Sequence, residues 1–404
     1  MAGLDVRPMT DNDRDRAFTL HLEAFGGGPE DFEKLKDLSL EDRWVVTDGP
    51  EVIGALRLIR FGHYFGGQRV PAAGIAAVGI SPVVRGKGAG GTLMREVLRA
   101  SADEGMPFST LFMSTMAPYR SVGYEIAGVR NRYRAPLPTL PRKGAVIVER
   151  WGDDEFPEVV ACHRRIAQSQ NGIIDRPDDW WTKRIFGGIG SNQYLYRYLV
   201  RDPEGVVRGY AVYTHEPEPG HFPDNWRPGD EPVIALAMRD FMWETPGAAA
   251  ALLNLAAGHW SVGTNVYWSG PAADPLLTFF PDRLPVIASS YTWMARLSDV
   301  EGALLARGYS PSLDLAVDFA VTDATLPGNA GAYRLEVVAG KPTVERIAAA
   351  ATVVDVRALA AMYTSSMSPY DAIRTGLMTA PVAADVEALA AAFAGPAPWV
   401  VEFF

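Results

Sequence analysis

The residues best suited to chemistry form a glycine-rich loop that reads Arg85-Gly86-Lys87-Gly88-Ala89-Gly90-Gly91. It follows a short apolar run, residues 75–80, that ends at Ser81-Pro82 and is typical of a buried strand. Glycines can turn backbone N–H groups inward because no Cβ blocks the approach, and such groups form an anion nest. Residues 92–104 have the pattern of an amphipathic helix, whose N-terminal dipole would act on the same anion. The loop therefore predicts a phosphate site.

Two phosphate-binding folds compete for this loop. A dinucleotide fold places Gly-x-Gly-x-x-Gly directly after its first strand, with an acidic residue about 20 positions further on. Here the loop follows a later strand, and its spacing is Arg85-x-x-Gly88-x-Gly90. That spacing resembles the pyrophosphate loop of the GNAT superfamily of acyl-CoA-dependent N-acyltransferases. Downstream, residues 118–124 resemble the Tyr-x-x-x-Gly-Tyr/Phe segment that carries the general-acid tyrosine in that superfamily.

The elements around the loop follow the GNAT order β-α-β-β-β-α-β. The pattern predicts strands at 4–10, 43–47, 52–61, 70–81, 108–113 and 124–134, and helices at 13–25 and 92–104. In the superfamily, the strand before the loop pairs with the pantetheine arm of the cosubstrate. Val78 and Ile80 stand at those positions here, and we expect Gly79 between them to allow a β-bulge.

A second unit of similar order follows the first. It has predicted strands at 145–148, 233–243 and 265–268, a helix at 155–168, and a hairpin around residues 202–205. Thr245 and Pro246 begin another predicted helix, as N-cap and first helical residue. The preceding Glu244 adds a carboxylate where an anion loop would stand, so we interpret this unit as a degenerate copy. The segment 176–181 is interpreted as packing and surface.

The last unit has the pattern of a small α+β domain. Ser298 and Glu301 are spaced as a capping box, and Gly308 suits the end of the same helix. Residues 313–321 alternate apolar and polar side chains, which predicts a half-buried strand. A hairpin at 333–347 and helices at 356–363 and 385–393 complete the domain.

A GNAT unit with the loop, a GNAT unit without it and an α+β tail, in this order, resemble the Eis (enhanced intracellular survival) family of N-acetyltransferases. The resemblance implies an α/β (α+β) fold, with tandem GNAT domains at 1–141 and 142–288 and a C-terminal sterol-carrier-protein-like α+β domain at 289–404. It also implies acetyl-CoA as cosubstrate, direct acetyl transfer to a small primary amine such as an aminoglycoside or polyamine, and a homo-hexamer.

The same resemblance implies the site residues. Tyr119 would be the general acid, and the terminal carboxylate on Phe404 would be the general base. Acetyl-CoA would be bound by Val78, Gly79, Ile80, Arg85, Gly86, Lys87, Gly88, Ala89, Gly90, Gly91 and Ser114. One departure concerns the loop after the first helix, which often carries an acidic residue in the family and here reads Gly26-Gly27-Gly28.

The final residues, 398–404, are aromatic and apolar except for Glu402. Because chain ends are usually polar and frayed, we expect this one to be held inside the protein. A terminal carboxylate has an ordinary pKa of about 3.5, and burial among aromatic rings would raise it toward that of a useful base.

Composition limits the other classes of function. Acidic residues number 48 against 38 basic ones, for a net charge of −10, so nucleic acid is not the expected partner. The one cysteine, Cys162, excludes an internal disulfide, and no histidine spacing predicts a metal site. Neither a signal peptide nor a run of about 20 apolar residues is found, so we expect a cytoplasmic protein without a membrane partner.

Two other readings remain open. One is a longer-chain acyltransferase, because N-myristoyltransferases also pair two GNAT units and use a terminal carboxylate. The other is a binding protein in which the last unit carries lipid and the first senses acyl-CoA. The substrate itself does not follow from the sequence.

Overall fold

The computed structural model describes residues 3–36, 39–142, 147–186, 194–218, 234–282 and 285–404. The chain divides into two units. The first unit contains Met1–Gly128, Thr292–Pro396 and Phe404, and the second contains Val129–Tyr291 and Ala397–Phe403. The three-domain division inferred from the sequence stays a prediction.

Strands and helices among the described residues are numbered in chain order. The strands are β1 Leu4–Pro8, β2 Arg43–Asp48, β3 Glu51–Phe65, β4 Gln68–Ile80, β5 Phe108–Phe112, β6 Glu125–Pro136, β7 Val148–Arg150, β8 Ile174–Asp175, β9 Tyr196–Arg201, β10 Val207–Pro217, β11 Ile234–Trp243, β12 Gly263–Gly270, β13 Val286–Leu297, β14 Leu315–Thr322, β15 Gly331–Val338, β16 Lys341–Ile347, β17 Val353–Asp355 and β18 Met378–Thr379. The helices are α1 Arg14–Phe25, α2 Pro29–Lys36, α3 Ala89–Asp103, α4 Ala117–Arg120, α5 Phe156–Gln168, α6 Asp178–Trp180, α7 Pro246–Ala257, α8 Val300–Ala306, α9 Val356–Tyr363, α10 Pro369–Arg374 and α11 Ala383–Ala392. No helix in these described ranges is long and apolar enough to cross a membrane.

The main sheet of the first unit has the order β1-β2-β3-β4-β5-β13. Its strands are antiparallel except for the parallel pair β4–β5. The residues of β13 that pair with β5 run from Trp293, opposite Phe112, to Leu297, opposite Phe108. The sequence did not predict β13 as a strand. Its partner lies far away along the chain, so no local pattern indicates the pairing.

The β4–β5 pair opens at a β-bulge. In the β3–β4 register Ala55 faces Gly79 and Arg57 faces Ala76, so Ala77 and Val78 together oppose one residue of β3. The expected position of the bulge, Gly79, is therefore wrong: the extra residue lies earlier, where Ala77 takes a left-handed φ of 53°. The parallel register with β5 ends at Ile75, just before the bulge. The ends of β4 and β5 therefore separate.

Helices cover both faces of this sheet. Leu93 and Val97 of α3 pack in one cluster with Ile75 of β4 and Leu111 of β5. Helix α1 packs on the other face, in a cluster that includes Phe18. Helix α3 begins three residues before its predicted start at Thr92, because the glycines that interrupt the apolar pattern already have helical geometry.

A smaller sheet in the first unit has the order β16-β15-β14-β17-β18 and packs with α8–α11. The alternation predicted for β14 is confirmed by its burial, with Val317, Phe319 and Val321 inside. The predicted capping box at Ser298 is wrong. The N-cap is Asp299, and the Ser298 hydroxyl instead donates a hydrogen bond to the Met106 carbonyl oxygen.

The second unit repeats the main elements of the first. Its sheet has the order β6-β12-β11-β10-β9-β7, with β11 and β12 parallel. Helix α7 begins with Pro246, and the Thr245 hydroxyl accepts a hydrogen bond from the Ala248 N–H group, which confirms the predicted N-cap. The hairpin around 202–205 is also confirmed. Residues 145 and 146 of the predicted first strand lie outside the described residues, and the described strand begins at Val148.

A buried arginine fixes the turn that follows α4. The Arg296 side chain is fully buried and donates to the Val122 carbonyl oxygen and to Asp323 Oδ2, both at 2.5 Å. The neighbouring Gly123 has a φ of 90°, and a Cβ there would lie 1.5 Å from Arg296 Nη1. Gly123 is therefore required twice, by its backbone conformation and by the guanidinium beside it.

The substitution Gly123→Ala tests this requirement. It should lower the free energy of unfolding by about 3–5 kcal/mol, the usual cost of disrupting a buried ion pair, because the methyl group must displace the guanidinium from Asp323. Gly105→Ala is the matched control. Its φ is 78°, yet a Cβ there meets no atom within 4 Å, so about 1–2 kcal/mol is expected from backbone strain alone. Equal losses for the two variants in urea unfolding would contradict the role given to Arg296.

Candidate active site

The glycine loop lies between the end of β4 and the start of α3. Gly86 and Gly88 have φ values of 78° and 91°, and Gly88 is the N-cap of α3. The exposed Arg85 donates from Nε to the Ile80 carbonyl oxygen at 3.1 Å. The exposed Lys87 donates to the Val83 carbonyl oxygen at 3.0 Å. Two cations and the positive end of a helix dipole therefore meet at one loop.

The loop geometry fits a diphosphate group. A Cβ added to Gly86 or Gly88 would meet no protein atom within 4 Å, so these glycines face open space. A Cβ on Gly90 would instead lie 3.5 Å from Ile80, which places that glycine against the strand. The first N–H groups of α3 lack intrahelical acceptors, as in any helix, and are available to an anion.

The other residues expected to bind the cosubstrate lie at the gap in the sheet. Val78, Gly79 and Ile80 form the end of β4 beyond the bulge, with both apolar side chains partly buried. Ser114 follows the end of β5 and is exposed. An extended chain lying between the two strand ends would meet unpaired backbone groups on the β4 side, as in strand addition.

Tyr119 lies in α4, within a turn closed by backbone hydrogen bonds. The Val122 and Tyr124 N–H groups both donate to its carbonyl oxygen at 3.1 Å. Its ring packs against the apolar cluster on the α3 face, and burial raises the pKa of its phenol above the ordinary value. Tyr124 is fully buried, with its hydroxyl 2.6 Å from Ser109 Oγ. Tyr119 is thus the more accessible of the two phenols.

Phe404 lies on the opposite face of the same sheet. Its ring packs edge-on against Phe61 of β3 and Phe112 of β5, with centroid distances of 5.1 and 5.4 Å. Gly74 of β4 leaves room for both neighbours, since a Cβ there would lie 2.4 Å from the Phe61 ring and 3.2 Å from the Phe404 ring. Tyr119 and Phe404 therefore pack on opposite faces of the sheet that contains β4 and β5.

The residues just before Phe404 are anchored in the second unit. The prediction of a buried chain end holds for Trp399, Val400 and Val401, which are buried, but not for Phe403, which is 52% exposed. The Trp399 N–H group donates to the Asn171 carbonyl oxygen at 3.1 Å, and Arg184 Nη1 donates to the Phe403 carbonyl oxygen at 2.7 Å.

A buried ionic group adds a stronger anchor. Arg176 donates from Nε to Glu402 and from Nη1 to Asp240, both at 2.5 Å, and all three side chains are essentially inaccessible to solvent. Burial opposes ionisation of Arg176, but the two carboxylates raise its pKa well above the ordinary value. Glu402 is therefore held as an ion-pair partner, which makes it a poor candidate for a free base.

Some important residues escaped the sequence reasoning. The segment that begins at Arg176 was interpreted as packing and surface, and Arg176 itself is buried; Asp240 and Arg296, also buried, were not singled out. The sequence does contain a sign of burial for two of them, since Asp240 and Arg296 are charged residues within largely apolar strands, β11 and β13. Cys162 is buried in α5, and burial raises the pKa of its thiol to about 12, which argues against an acyl-cysteine intermediate.

Three family models match the chain. The description "Acetyltransferase (GNAT) domain" applies to residues 5–127 and, with a second model, to residues 172–297. The description "Sterol carrier protein domain" applies to residues 300–401. An uncharacterized N-acetyltransferase of Streptomyces griseus is 26% identical over 315 residues, which are 74% of this chain and 73% of the relative.

Solved structures resemble the chain over its full length. A GCN5-related N-acetyltransferase from Anabaena variabilis has 28% identity and a TM-score of 0.89, with 100% of both chains covered. One from Kribbella flavida has 28% identity and a TM-score of 0.81, with 100% of this chain and 98% of the other covered. Eis1 from Mycobacterium abscessus has 25% identity and a TM-score of 0.78, with 100% of both covered.

Proposed function

Since this chain is an Eis-like acetyltransferase with two GNAT domains and a sterol carrier protein domain, we propose that it transfers acetyl from acetyl-CoA directly to a small primary amine. The observation that supports the proposal is the opening between β4 and β5, with the glycine loop at one end and the Tyr119 and Phe404 rings on the two faces of the sheet. The homo-hexamer and the cytoplasmic location inferred from the sequence remain predictions.

The loop and the end of β4 form the proposed acetyl-CoA site. Gly86 and Gly88 open the backbone toward the diphosphate, and Arg85 and Lys87 add positive charge. Val78 and Ile80 line the path of the pantetheine arm, and Ser114 lies near its end. Acetyl-CoA supplies an acetyl thioester, and its C–S bond breaks as the amine nitrogen bonds to the acetyl carbon.

Tyr119 and Phe404 divide the proton transfers between two faces. A phenol with a raised pKa stays protonated at neutral pH, so Tyr119 can donate its proton to the departing sulfur. The terminal carboxylate on Phe404 would first accept one proton from the substrate ammonium group, directly or through one water, so that the neutral amine attacks. The nitrogen loses its second proton once it is bonded to the acetyl carbon, and that proton restores the Tyr119 phenol. Direct transfer needs an acid and a base at different positions, because the amine adds to the face of the thioester carbonyl while the sulfur leaves from another corner of the tetrahedral intermediate.

A donor and acceptor panel tests the function itself. We expect CoA release from acetyl-CoA with at least one amine among polyamines, aminoglycosides and arylalkylamines, and little release from long-chain acyl-CoA. Turnover of long-chain donors alone would make the chain a longer-chain acyltransferase. No turnover with any amine, together with retained lipid binding, would contradict the proposal in favour of a carrier.

Tyr119→Phe tests the acid. It should lower kcat by about 10²-fold or more, the usual contribution of a general acid, because the phenyl ring keeps the packing but has no proton to donate. The affinity for acetyl-CoA, measured by calorimetry, should stay unchanged. Gly88→Val is the opposite control, since its side chain would project into the loop and weaken acetyl-CoA binding. A near-normal kcat for Tyr119→Phe would assign the proton to another donor.

Changes at the terminus test the base. One added glycine displaces the carboxylate by about 3.5 Å, and terminal amidation removes its charge without changing the length. Both should lower kcat by about 10²-fold and leave acetyl-CoA affinity unchanged. Normal turnover by the amidated protein would show that the carboxylate is not the base.

Arg176→Gln tests whether the ion pair with Glu402 positions the terminal carboxylate, in the same kinetic assay as the two changes at the terminus. It keeps the carboxylate but loosens Glu402, so kcat should fall while carboxypeptidase releases Phe404 faster than from the unchanged protein. The conservative Arg176→Lys variant should recover part of both losses because it restores one ion pair. Loss of kcat without faster release would count against an anchoring role.

A further inference from the structure

The second unit contains a cavity that the proposed reaction does not use. Its volume is about 330 Å³, within the range of small-molecule sites, and all of its lining residues belong to that unit. The walls come from the ends of β11 and β12, the segments that follow α5 and β12, and Trp399. The cavity therefore lies where a pair of parallel strands ends.

This position corresponds to the opening in the first unit. Val212 faces Asp240 and Tyr213 faces Met238, so β11 carries an extra residue, Arg239, just as β4 carries one opposite β3. The parallel register of β11 with β12 ends at Ala237, shortly before this bulge. The two strand ends separate beyond it, and the cavity occupies the gap.

The second unit lacks the means to hold a diphosphate there. The Thr245 hydroxyl already caps the first turn of α7, and Pro246 has no N–H group to offer. The Glu244 carboxylate stands before the helix and is bound by Arg165 and Arg208 at 3.0 and 3.1 Å. The gap thus resembles the opening in the first unit, but the helix beside it does not offer a site for a diphosphate.

Aromatic side chains and a carboxylate define what the gap can bind. Trp243, Trp268 and Trp399 line it together with Asp274, a residue that is only 7% exposed. The Trp268 ring is stacked with Tyr133 and with Phe280, so Trp243 and Trp399 are the indoles that can face a ligand. Asp274 accepts hydrogen bonds from Trp268 Nε1 at 2.8 Å and from the Leu276 N–H group at 2.9 Å. Indole faces attract cations, most strongly when water is excluded.

The charges of the lining favour the same ligand. Arg165, Glu244 and Asp274 are its charged members, and Arg165 is paired with Glu244. Arg208 also pairs with Glu244 but does not line the cavity. Among the described residues, Asp274 is therefore the lining carboxylate that has hydrogen bonds but no ion pair. We propose that this cavity is a second ligand site, which binds a small aromatic cation of the arylalkylamine class and excludes CoA.

Calorimetry with three isosteric probes tests the site. 2-Phenylethylamine is the cation, 2-phenylethanol is its neutral counterpart and 3-phenylpropanoate is an anion. We expect the amine to bind at least about 10-fold more tightly than the alcohol, which corresponds to about 1.4 kcal/mol, and the anion to show no binding. Equal affinity for amine and alcohol, or absence of amine binding, would overturn the proposal.

Three variants locate the binding in the second unit. Trp243→Ala should weaken amine binding about 10-fold, and Asp274→Asn should bring amine and alcohol within about 2-fold of each other. Trp260→Ala is the control, because this tryptophan is 52% exposed and is not among the lining residues. Trp243→Ala keeps the test valid if Asp274→Asn fails to fold. Unchanged amine binding in Trp243→Ala would overturn the proposal.

In the proposed reaction the acceptor amine would bind near Phe404 in the first unit, and that acceptor site must be distinguished from this cavity. The protein extended by one glycine disturbs the terminus at that acceptor site, so its amine affinity should match that of the unchanged protein. If the glycine-extended protein lost amine binding while the Trp243→Ala variant kept it, the amine would bind at the acceptor site alone. That result would overturn the inference. Because binding is measured without acetyl-CoA, the result does not depend on acetyl transfer.

Discussion

The first unit depends on a parallel strand pair that stops pairing. One extra residue in β4, with Ala77 in a left-handed conformation, turns the strand away from β5 and leaves backbone groups open at the gap. A left-handed alanine costs about 1–2 kcal/mol, so this geometry is maintained by the packing on both sides of the strand. The glycine loop, the Tyr119 turn and the Phe404 ring all take their positions from strands that border this gap.

Local features of the fold could be predicted because their causes are local. The glycine loop, the Thr245 cap, the hairpin around 202–205 and the alternation in β14 each depend on residues within one turn or strand. The bulge was expected at Gly79 on the general rule that glycine relieves strain. The bulge lies at Ala77 and Val78, just before Gly79, and this position follows from the register with β3. No residue of β4 determines that register alone.

The parts that sequence reasoning missed depend on distant partners. Arg296 matters because Gly123, Val122 and Asp323 surround it, and Arg176 matters because Asp240 and Glu402 do. The sequence does not show the partners of either arginine. What the sequence does offer is the unusual setting of Arg296 and of Asp240 within apolar strands, where an unpaired charge would be too costly to bury.

The late position of β13 in the chain has a consequence for biosynthesis. Strand β5 is buried on both faces and completes its ladder with residues 293–297, which the ribosome makes after residues 129–291 of the second unit. Until then β5 is an apolar sheet edge, open to pairing with other chains. The first unit is thus complete only late in translation, and a fragment ending before β13 would contain both the glycine loop and Tyr119 yet expose an aggregation-prone strand.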